Sequence, residues 1–537
     1  MFIDTSSWQI GGLLPDNFKV ETRHSRYTEM LPYWKKCRDA RKGSKAIKDA
    51  GDTYLPRLES QELSNPASDK TSFEKNTAFN KYKDRAIWYG ATGQTVETFV
   101  GMIFAKPLTY SANNKEIEKS LTQSDIIKYA TQNDESFPAL MKTCADEMLT
   151  VNRVGILEDF PELVDENGNV KQMTQLEFEK AGLTSYSVVY TAEQIINWGV
   201  TTHKGKKIES FYVLEENWLD YSESITKPEE RKRWRILLLE NLNGILMYKQ
   251  VVVKATVEGN KVESITYPLK DGSPFEYIPF WVLSVYGNQI DVVREPEILD
   301  LVEMNIGHYR NSADYENEMH YVSIKTAIFP GWDSETYGNP VLGGALASPP
   351  EQTPFILEAS GKSGIAEEMG KKEERMAILG AQMLANKGRY VQAAKTAEIQ
   401  GQGESGILGS LAATLEEFFS VILTLKLQWS INKDIEATVA LNKEYMKNTV
   451  APEMMKDLVS AVQSGKMSFK TFYYNISKLD MYPAGWTEEQ EQEAIENEAL
   501  GAASMEMFTA IDSLNKQVAE LKNGKTVGKS TEKDTAA

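Results

Sequence analysis

The sequence predicts an α+β protein in which a strand-rich region is followed by long helices. Three observations support this fold class. Residues 186–285 carry repeated β-branched and aromatic runs that are separated by glycine, asparagine and charged turns. Two helix-length segments then flank a short insert rich in proline and glycine. A further segment, 408–429, keeps apolar residues at a three–four spacing, which is typical of a helix packed in a core.

The composition is that of an acidic globular protein. The chain has 537 residues, a formal net charge of −18, and 41% hydrophobic and 25% charged residues, which is enough apolar material for a sizeable core. The most apolar run, 418–429, is interrupted by polar residues and is too short to span a bilayer. No secretory signal is visible at the N-terminus. We therefore expect an intracellular protein outside the membrane, and its acidity argues against a role in coating nucleic acid.

The N-terminal part is expected to contain mixed helices before the sheet begins. Residues 1–107 combine helical and loop patterns, and residues 125–160 predict a helix followed by a strand that ends in "VGILEDFP". No helix-length segment separates the runs between 186 and 285. The strands should therefore form a mainly antiparallel sheet.

Two helices and an insert come next. The first helix is predicted from Pro296, at the first helical position, to about residue 320. The insert is rich in prolines and glycines that break short strands. The second helix begins near Ser363, with Glu367 and Glu368 in its first turn, where the helix dipole favours anions.

A small, locally basic segment, 386–403, separates the second helix from the long apolar helix. It contains Lys387, Arg389 and Lys395, and its glycines allow it to bend. These cations can contact phosphates without reading bases, because no bidentate set for base edges is present. The alternative is a surface loop whose cations lie in solvent or pair with Glu398 and Glu404. The long helix after it is favoured as a core helix over a coiled coil, since only three heptads are present.

The C-terminal part predicts helices and then a polar end. Pro452 opens one helix and Gly465 closes it. A capping box at 487–490 starts a long acidic helix with a heptad stripe. Residues 524–537 are polar, and we expect them to be disordered.

No catalytic, cofactor or metal motif is found in the sequence. The string "NGKTVGKS" has Asn523 where a phosphate-binding loop needs glycine, and no strand precedes it. The two cysteines and four histidines lack the spacing of metal ligands. We therefore expect a protein that is not an enzyme and that needs no cofactor or metal.

The order of these parts resembles the portal proteins of tailed bacteriophages, in a branch labelled as an uncharacterised phage domain family. The resemblance covers most of the chain. The blocks that carry it are "YLPRL", "YKDRAIWYGATGQTVETFVGMIFAKP", "GILEDFP", "VVYTAEQIINW", "ILDLVEMNIGHYRNSADYENEMHYVSIKTAIFPG", "KTAEIQGQGESGILGSLAATLEEFF" and "LVSAVQSGKMSFKTFYYNISKLDMYPAGWTEEQEQEAIENE". One departure is "AKTAEIQ", which stands where the family usually has Thr-Ala-Thr.

This resemblance implies a ring-forming portal fold with an α/β wing, a helical stem, a small α/β clip and a helical crown. The wing would comprise residues 1–294 and 404–450, and its second part would hold a long helix and a return strand. The stem helices would be 295–320 and 363–385, and the clip between them 321–362. The remaining parts would be the tunnel loop at 386–403, the crown at 451–523 and the tail at 524–537.

The resemblance also implies two sets of site residues. In the tunnel loop, Lys387, Arg389, Gln392 and Lys395 would meet DNA in the channel. In the clip, Phe329, Trp332 and Tyr337 would contact a neighbouring subunit or a partner protein, since aromatic residues dominate such contacts; the alternative is that they pack the small core of the insert.

Four polar stem residues have a role that the sequence leaves open. They would form ion pairs between subunits, face the channel or lie in solvent. They are Arg310, Asp314, Glu316 and Glu318.

The implied function is a homo-oligomeric ring, usually of twelve subunits, at one vertex of the phage capsid. Double-stranded DNA would pass through the ring during packaging and ejection, without sequence-specific binding. The implied partners are the terminase large subunit, the major capsid and scaffolding proteins, and adaptor or tail proteins, with no membrane. The protein would be found in the virion, and in the host cytoplasm during assembly. The alternatives are another head–tail ring such as an adaptor, or a DNA-packaging enzyme.

Overall fold

A computed structural model shows the chain as two compact units, Met1–Tyr445 and Met446–Ala537. It describes residues 2–15, 18–62, 70–159, 184–221, 226–242, 244–256, 259–270, 273–289, 291–323, 326–330, 345–348, 355–357, 364–384, 406–430 and 434–441, with Thr353, Thr471 and Lys516. All of these residues except Thr471 and Lys516 belong to the first unit. The predicted crown and tail lie outside the described residues, apart from Thr471 and Lys516 in the crown.

Helices make up the first part of this unit and return at its end. The described α-helices are α1 (Ser25–Lys42), α2 (Ser44–Asp49), α3 (Lys70–Arg85), α4 (Ala91–Ile103), α5 (Lys115–Leu121), α6 (Asp125–Lys128), α7 (Phe137–Val151), α8 (Leu299–Ser323), α9 (Gly364–Leu384) and α10 (Ile407–Ser430). Short 3-10 helices lie at Gly51–Thr53, Glu59–Gln61 and Ala192–Gln194.

The strands lie mainly between α7 and α8. They are β1 (Thr109–Ala112), β2 (Val154–Asp159), β3 (Tyr186–Thr191), β4 (Ile195–His203), β5 (Lys206–Asp220), β6 (Glu229–Leu242), β7 (Ile245–Thr256), β8 (Gly259–Thr266), β9 (Leu269–Lys270), β10 (Ser273–Pro274), β11 (Phe280–Ser284), β12 (Gly287–Asn288), β13 (Thr326–Pro330), β14 (Ala345–Ser348), β15 (Phe355–Leu357) and β16 (Ala437–Ala440). The predicted α+β fold class is confirmed.

The strands of the predicted antiparallel sheet are divided between two larger sheets and one short pair, β9 with β10. Strands β4 to β8 form a five-stranded antiparallel meander, and a second sheet has the order β12-β11-β2-β3. The run "YSVVYTAEQIINW" is broken by the 3-10 turn at Ala192–Gln194, where the Gln194 side chain accepts a hydrogen bond from the Thr191 backbone. That turn moves the chain from the second sheet to the first.

Two hydrophobic clusters fill the described part of the unit. One joins α7 and α10 with the helices around them, and its aromatic centre includes Phe137 and Phe419, whose rings meet edge to face at 5.3 Å. The other lies under the five-stranded sheet around Trp34, Trp234 and Tyr248. The two clusters are neighbours, because the partly buried Trp281 packs against both.

The long apolar helix α10 is confirmed, but it buries more than the predicted stripe. Leu408, Leu411, Leu415, Ile422 and Leu425 are buried as the spacing requires. Phe419, Leu423 and Leu427 are buried as well, because α4, α7, α9, β11, β12 and β16 contact the helix from several sides. By length and composition α10 could cross a membrane, but its fully buried Lys426 and its contacts with the surrounding core favour a core helix.

The helices on either side of the insert begin slightly later than predicted. Pro296 is not the first helical residue: it accepts a hydrogen bond from the Leu299 backbone N–H at 3.1 Å, in a turn that precedes α8. The helix begins at Leu299, and α9 begins at Gly364, one residue after Ser363. Between them, β13 pairs parallel with β14 and antiparallel with β15.

Candidate functional site

The sequence-predicted site residues fall almost entirely outside the described residues. The backbone of Phe329 lies in β13, opposite Ala347 of β14. The others lie outside the described ranges: Trp332, Tyr337, Lys387, Arg389, Gln392 and Lys395. Their roles stay predictions. The described helices that lead into and out of these segments, α8, α9 and α10, form the candidate site.

Helices α8 and α9 form an antiparallel pair with the small sheet at one end. Thr326, just after α8, pairs with Leu357, which precedes α9. The end of α8 and the start of α9 are therefore close to the same strand pair, and the two helices run in opposite directions. Polar contacts between them support the pairing: Lys372 donates a hydrogen bond to the Gly307 carbonyl at 3.2 Å.

A histidine of α8 and a glutamate of α9 link the two helices next to the contact between Lys372 and Gly307. His308 Nε2 lies 3.0 Å from Glu373 Oε1, and the His308 side chain is only 4% exposed. The ring of Tyr89, from the segment before α4, lies 5.3 Å from the imidazole. The contact holds α9 against a face of α8 that also meets the N-terminal helices.

The N-terminal helices hold α8 along most of its length. Asn305 donates to Thr92 Oγ1 at 3.0 Å, and Ser312 Oγ accepts from the Ile87 backbone N–H at 2.9 Å. Farther along, Arg85 donates to Asn317 Oδ1 at 3.1 Å. These bonds fix the direction of α8 relative to the core.

Two of the polar residues in α8 have partners within the same chain. Arg310 Nε donates to the Tyr54 carbonyl at 2.9 Å, and the Tyr82 hydroxyl donates to Asp314 Oδ1 at 2.6 Å. Burial and the Asp314 carboxylate raise the pKa of Tyr82. Bonds within the chain were not among the roles that the sequence left open for Arg310 and Asp314, and the structure adds them as the described contacts of these two residues.

Burial decreases along α8 towards the small sheet. Each buried residue of this helix lies between Leu299 and Ala313. Beyond that point the residues are partly or fully exposed, and Met319 and Tyr321 are 44% and 46% exposed. The second half of the helix therefore extends beyond the core, and the first strand of the small sheet, β13, begins shortly after its end.

Helix α4 contacts both helices that border the predicted tunnel loop. The end of α9 approaches α4, where a Cβ on Gly380 would lie 3.7 Å from the Thr95 side chain. The helix α10 also contacts α4 and α9. The helices before and after the predicted loop are therefore held against each other and against one common neighbour in the core.

A buried ion pair fixes α10 to the second sheet. Lys426 Nζ lies 2.8 Å from Glu158 Oε1 in β2, and both side chains are almost completely inaccessible. Lys426 also donates to the carbonyls of Ala130 and Ser185, and Ser187 Oγ donates to Glu158 Oε2. The sequence treated Lys426 only as an interruption of an apolar run. The available signal was that Lys426 and Glu158 are charged residues in otherwise apolar segments, and such residues need a partner when they are buried.

A second ionic cluster connects the two sheets. Arg235 donates to Asp159 and to Glu216, at 2.8 Å in each case. Tyr190 donates to Glu216 at 2.6 Å. Burial raises the pKa of Glu216, but Arg235, Tyr190 and Arg233 outweigh that effect, and the net shift is downward.

These clusters have the properties of structural contacts. Among the described residues, no group of three or more His, Cys, Asp or Glu side chains could hold a metal ion. Both cysteines are buried, and burial raises the pKa of Cys37 to about 12. A thiol with that pKa is a poor nucleophile at neutral pH.

Comparison with protein families gives one match. A family model described as "Domain of unknown function (DUF4055)" matches residues 297–430. The matched region is less than half of the chain and contains α8, the small sheet, α9 and α10. No curated protein matches the chain.

Comparison with solved structures gives similarity at low identity. A chain in "Neck of empty GTA particle computed with C6 symmetry" has a TM-score of 0.34 and 10% identity, over 71% of this chain and 87% of that chain. A chain in "Virion of native gene transfer agent (GTA) particle" has a TM-score of 0.31 and 11% identity, over 71% of this chain and 86% of that chain. Both TM-scores are below 0.5. The chain is similar, at this low level, to chains of gene transfer agent particles.

Proposed function

We propose that the chain is a structural subunit of a tailed-phage particle, and specifically a portal subunit. Copies of it would assemble into a ring at one capsid vertex, with twelve copies as is usual in the family it resembles. Double-stranded DNA would pass through the ring in packaging and ejection. The ring would bind terminase first and head-completion or tail proteins later.

The pair formed by α8 and α9 carries this proposal. One end of α8 is buried in the core. It donates hydrogen bonds to Thr92 and to the Tyr54 carbonyl, and it accepts one from the Ile87 backbone N–H. The other end leaves the core and leads to a small sheet. A pair of helices held in this way suits the wall of a channel, because repeated copies around an axis would place the same helices side by side.

The positions of α9 and α10 support a role for the segment between them. Both helices contact α4, and they also contact each other. A segment that joins two helices held in this way is suited to forming a loop, and this one carries Lys387, Arg389 and Lys395. A few cations per subunit would give weak contact with phosphates that is reduced by salt, which suits DNA that slides.

The alternatives are less consistent with the chain. An adaptor ring is typically a much shorter protein than one of 537 residues. A packaging enzyme would need a nucleotide or metal site; the sequence lacks a phosphate-binding loop, and the described residues hold no metal-ligand cluster. We therefore propose a non-enzymatic role.

Imaging of the purified full-length chain tests the proposal. Negative-stain electron microscopy should reveal rings with a central hole, and mass photometry should give the number of copies. A monomer at high protein concentration would contradict the proposal. ATP hydrolysis by the chain alone would favour the enzyme instead.

A second experiment separates a portal from an adaptor. Co-expression with the capsid and scaffolding proteins should place a portal ring at one vertex of the immature head. An adaptor would join only after the head is filled, so rings that fail to enter immature heads would favour that alternative.

A further inference from the structure

His24 holds the start of α1 through a nitrogen that can bind a proton. It is the residue just before the helix, and its Nδ1 atom accepts a hydrogen bond from the Arg26 backbone N–H at 3.2 Å. The side chains preferred at this position are those of Ser, Thr, Asp and Asn, which accept through an oxygen. Nδ1 accepts only while it is unprotonated, because a protonated imidazole has two N–H donors and no acceptor. The cap of α1 therefore depends on the charge of one histidine.

The residues around His24 also join α1 to the five-stranded sheet. The His24 backbone N–H donates to the Ile196 carbonyl at 2.9 Å, and Asn197 Nδ2 donates to the Thr22 carbonyl at 3.0 Å. Both partners lie in β4, the first strand in the order of that sheet. The imidazole stacks on Trp198, the next residue of β4, with ring centroids 4.0 Å apart. One side chain thus caps a helix and packs on the strand to which the helix is bonded.

The surroundings of His24 oppose a positive charge on its ring. The charged groups that act on it are Arg26 on α1, Arg153 before β2 and Asp291 after β12, which makes two cations against one anion. The Arg153 guanidinium lies 4.3 Å from the centroid of the same Trp198 ring on which His24 stacks. The start of a helix also carries a positive partial charge. Protonation of His24 would therefore add a third cation at a place that favours a negative charge.

The direction of the pKa shift agrees with this geometry. Burial lowers the pKa of His24, Arg26 and Arg153 lower it further, and Asp291 opposes them. A group whose pKa is lower in the capped state binds its proton more readily when the cap is open. The stabilisation by the cap is therefore complete above the ordinary pKa of histidine, about 6.5, and it is lost as the pH falls through the lower value of the folded protein.

We propose that His24 is a proton-sensitive switch that releases the first turn of α1 from β4 when the imidazole becomes protonated. The neutral ring caps the helix and keeps the contact with the edge of the sheet. The protonated ring points an N–H donor at the Arg26 N–H, so the cap opens and the backbone hydrogen bonds beside it become accessible to solvent. The switch is separate from the helix pair and does not depend on the proposed portal function.

Hydrogen–deuterium exchange of the full-length protein tests the switch. Mass spectrometry gives the exchange rates from about pH 8 to about pH 5, the range in which histidine titrates, after correction for the intrinsic effect of pH. In the native protein, the protection of the first turn of α1 should fall by about three- to tenfold, as expected for the loss of one N-cap. His24→Asn should change by less than about twofold, because asparagine caps a helix without titrating. Constant protection in the native protein, or an equal fall in His24→Asn, would overturn the proposal.

Two further variants separate the switch from a general effect of pH, and they keep the test valid if His24→Asn does not fold. His203→Asn is the matched control, because it removes a histidine at the other end of β4 from Ile196, and it should keep the native response. Asp291→Asn removes the anion that favours the protonated ring, so the fall in protection should occur at a lower pH. Loss of the response in His203→Asn, or a response of Asp291→Asn at the native pH or above it, would contradict the assignment to His24.

Discussion

Lys426 shows how one residue determines the position of a whole helix. A lysine at 1% side-chain exposure needs a counterion, and Glu158 at 0% provides it. The remaining protons of Lys426 are directed at two backbone carbonyls, so the ammonium group is satisfied. A buried pair of this kind adds little net stability, but it opposes any rotation of α10 that would leave a charge unpaired.

Removal of one partner of this pair should be strongly destabilising. Lys426→Met leaves Glu158 buried and unpaired, so we expect the free energy of unfolding to fall by about 3–5 kcal/mol. The double variant Lys426→Met/Glu158→Leu should recover a large part of this loss. Urea unfolding of the two single variants and the double variant gives the coupling energy. Additive losses would contradict the interpretation.

Glu216 should contribute to stability in a way that depends on pH. Its pKa in the folded protein lies below its ordinary value of 4.5. Its contribution is therefore complete above that value and is lost as the pH falls through the folded-state pKa. We expect Glu216→Gln to be less stable than the native protein at pH 7 and to lose stability less steeply between about pH 5 and pH 3.

Glu209 is the control for this pH dependence. Burial raises its pKa, so its contribution has the opposite sign, and the native protein gains stability from it as the pH falls towards the unfolded-state value. Chemical unfolding at a series of pH values compares Glu216→Gln and Glu209→Gln with the native protein. Parallel curves for Glu216→Gln and the native protein would contradict the prediction.

At the level of elements, α9 has an interior glycine, Gly370, that makes no close packing contact within the described part of the chain. A Cβ at Gly370 would meet no atom within 4 Å, so the glycine lowers helix stability without any gain from close packing. We therefore expect α9 to be less rigid there than a helix of ordinary composition.

Gly370→Ala should stabilise the protein by about 0.5–1 kcal/mol, because alanine restricts the unfolded chain and favours the helix. Gly101→Ala in α4 is a matched control, since a Cβ there also meets nothing within 4 Å. Thermal unfolding measures both variants. If bending at Gly370 matters for assembly, only Gly370→Ala should change the yield of rings; a loss of stability in this variant would contradict the helix argument.

At the level of the whole molecule, the net charge limits contact with DNA. A charge of −18 repels phosphates, so the cations of the loop would act against the general field of the protein. The contact with duplex would then be weak and easily screened by salt.

Replacement of Lys387, Arg389 and Lys395 by alanine should weaken DNA binding by the assembled ring and lower the slope of its salt dependence. The control replaces Lys204, Lys206 and Lys207, at the hairpin of β4 and β5, and changes the charge by the same amount. Fluorescence anisotropy with duplex DNA at several salt concentrations measures both. Equal losses in the two variants would assign the effect to net charge alone.

The sequence by itself determined the type and approximate bounds of the main elements. The periodicity of α10, the β-rich stretch from 186 to 285 and the helices around the insert all depend on local patterns. Side-chain spacing within one segment is enough to predict them. The wrong prediction that α8 begins at Pro296 also has a local cause, because proline favours both a first helical position and a turn.

Only the tertiary structure decided which distant residues meet. The ion pair of Lys426 with Glu158 and the pairing of β11 with β2 both join segments that lie far apart in the chain. A sequence pattern records the polarity of a residue but not its partner. Burial and hydrogen bonding are properties of the packed molecule, and they depend on where every neighbouring segment lies.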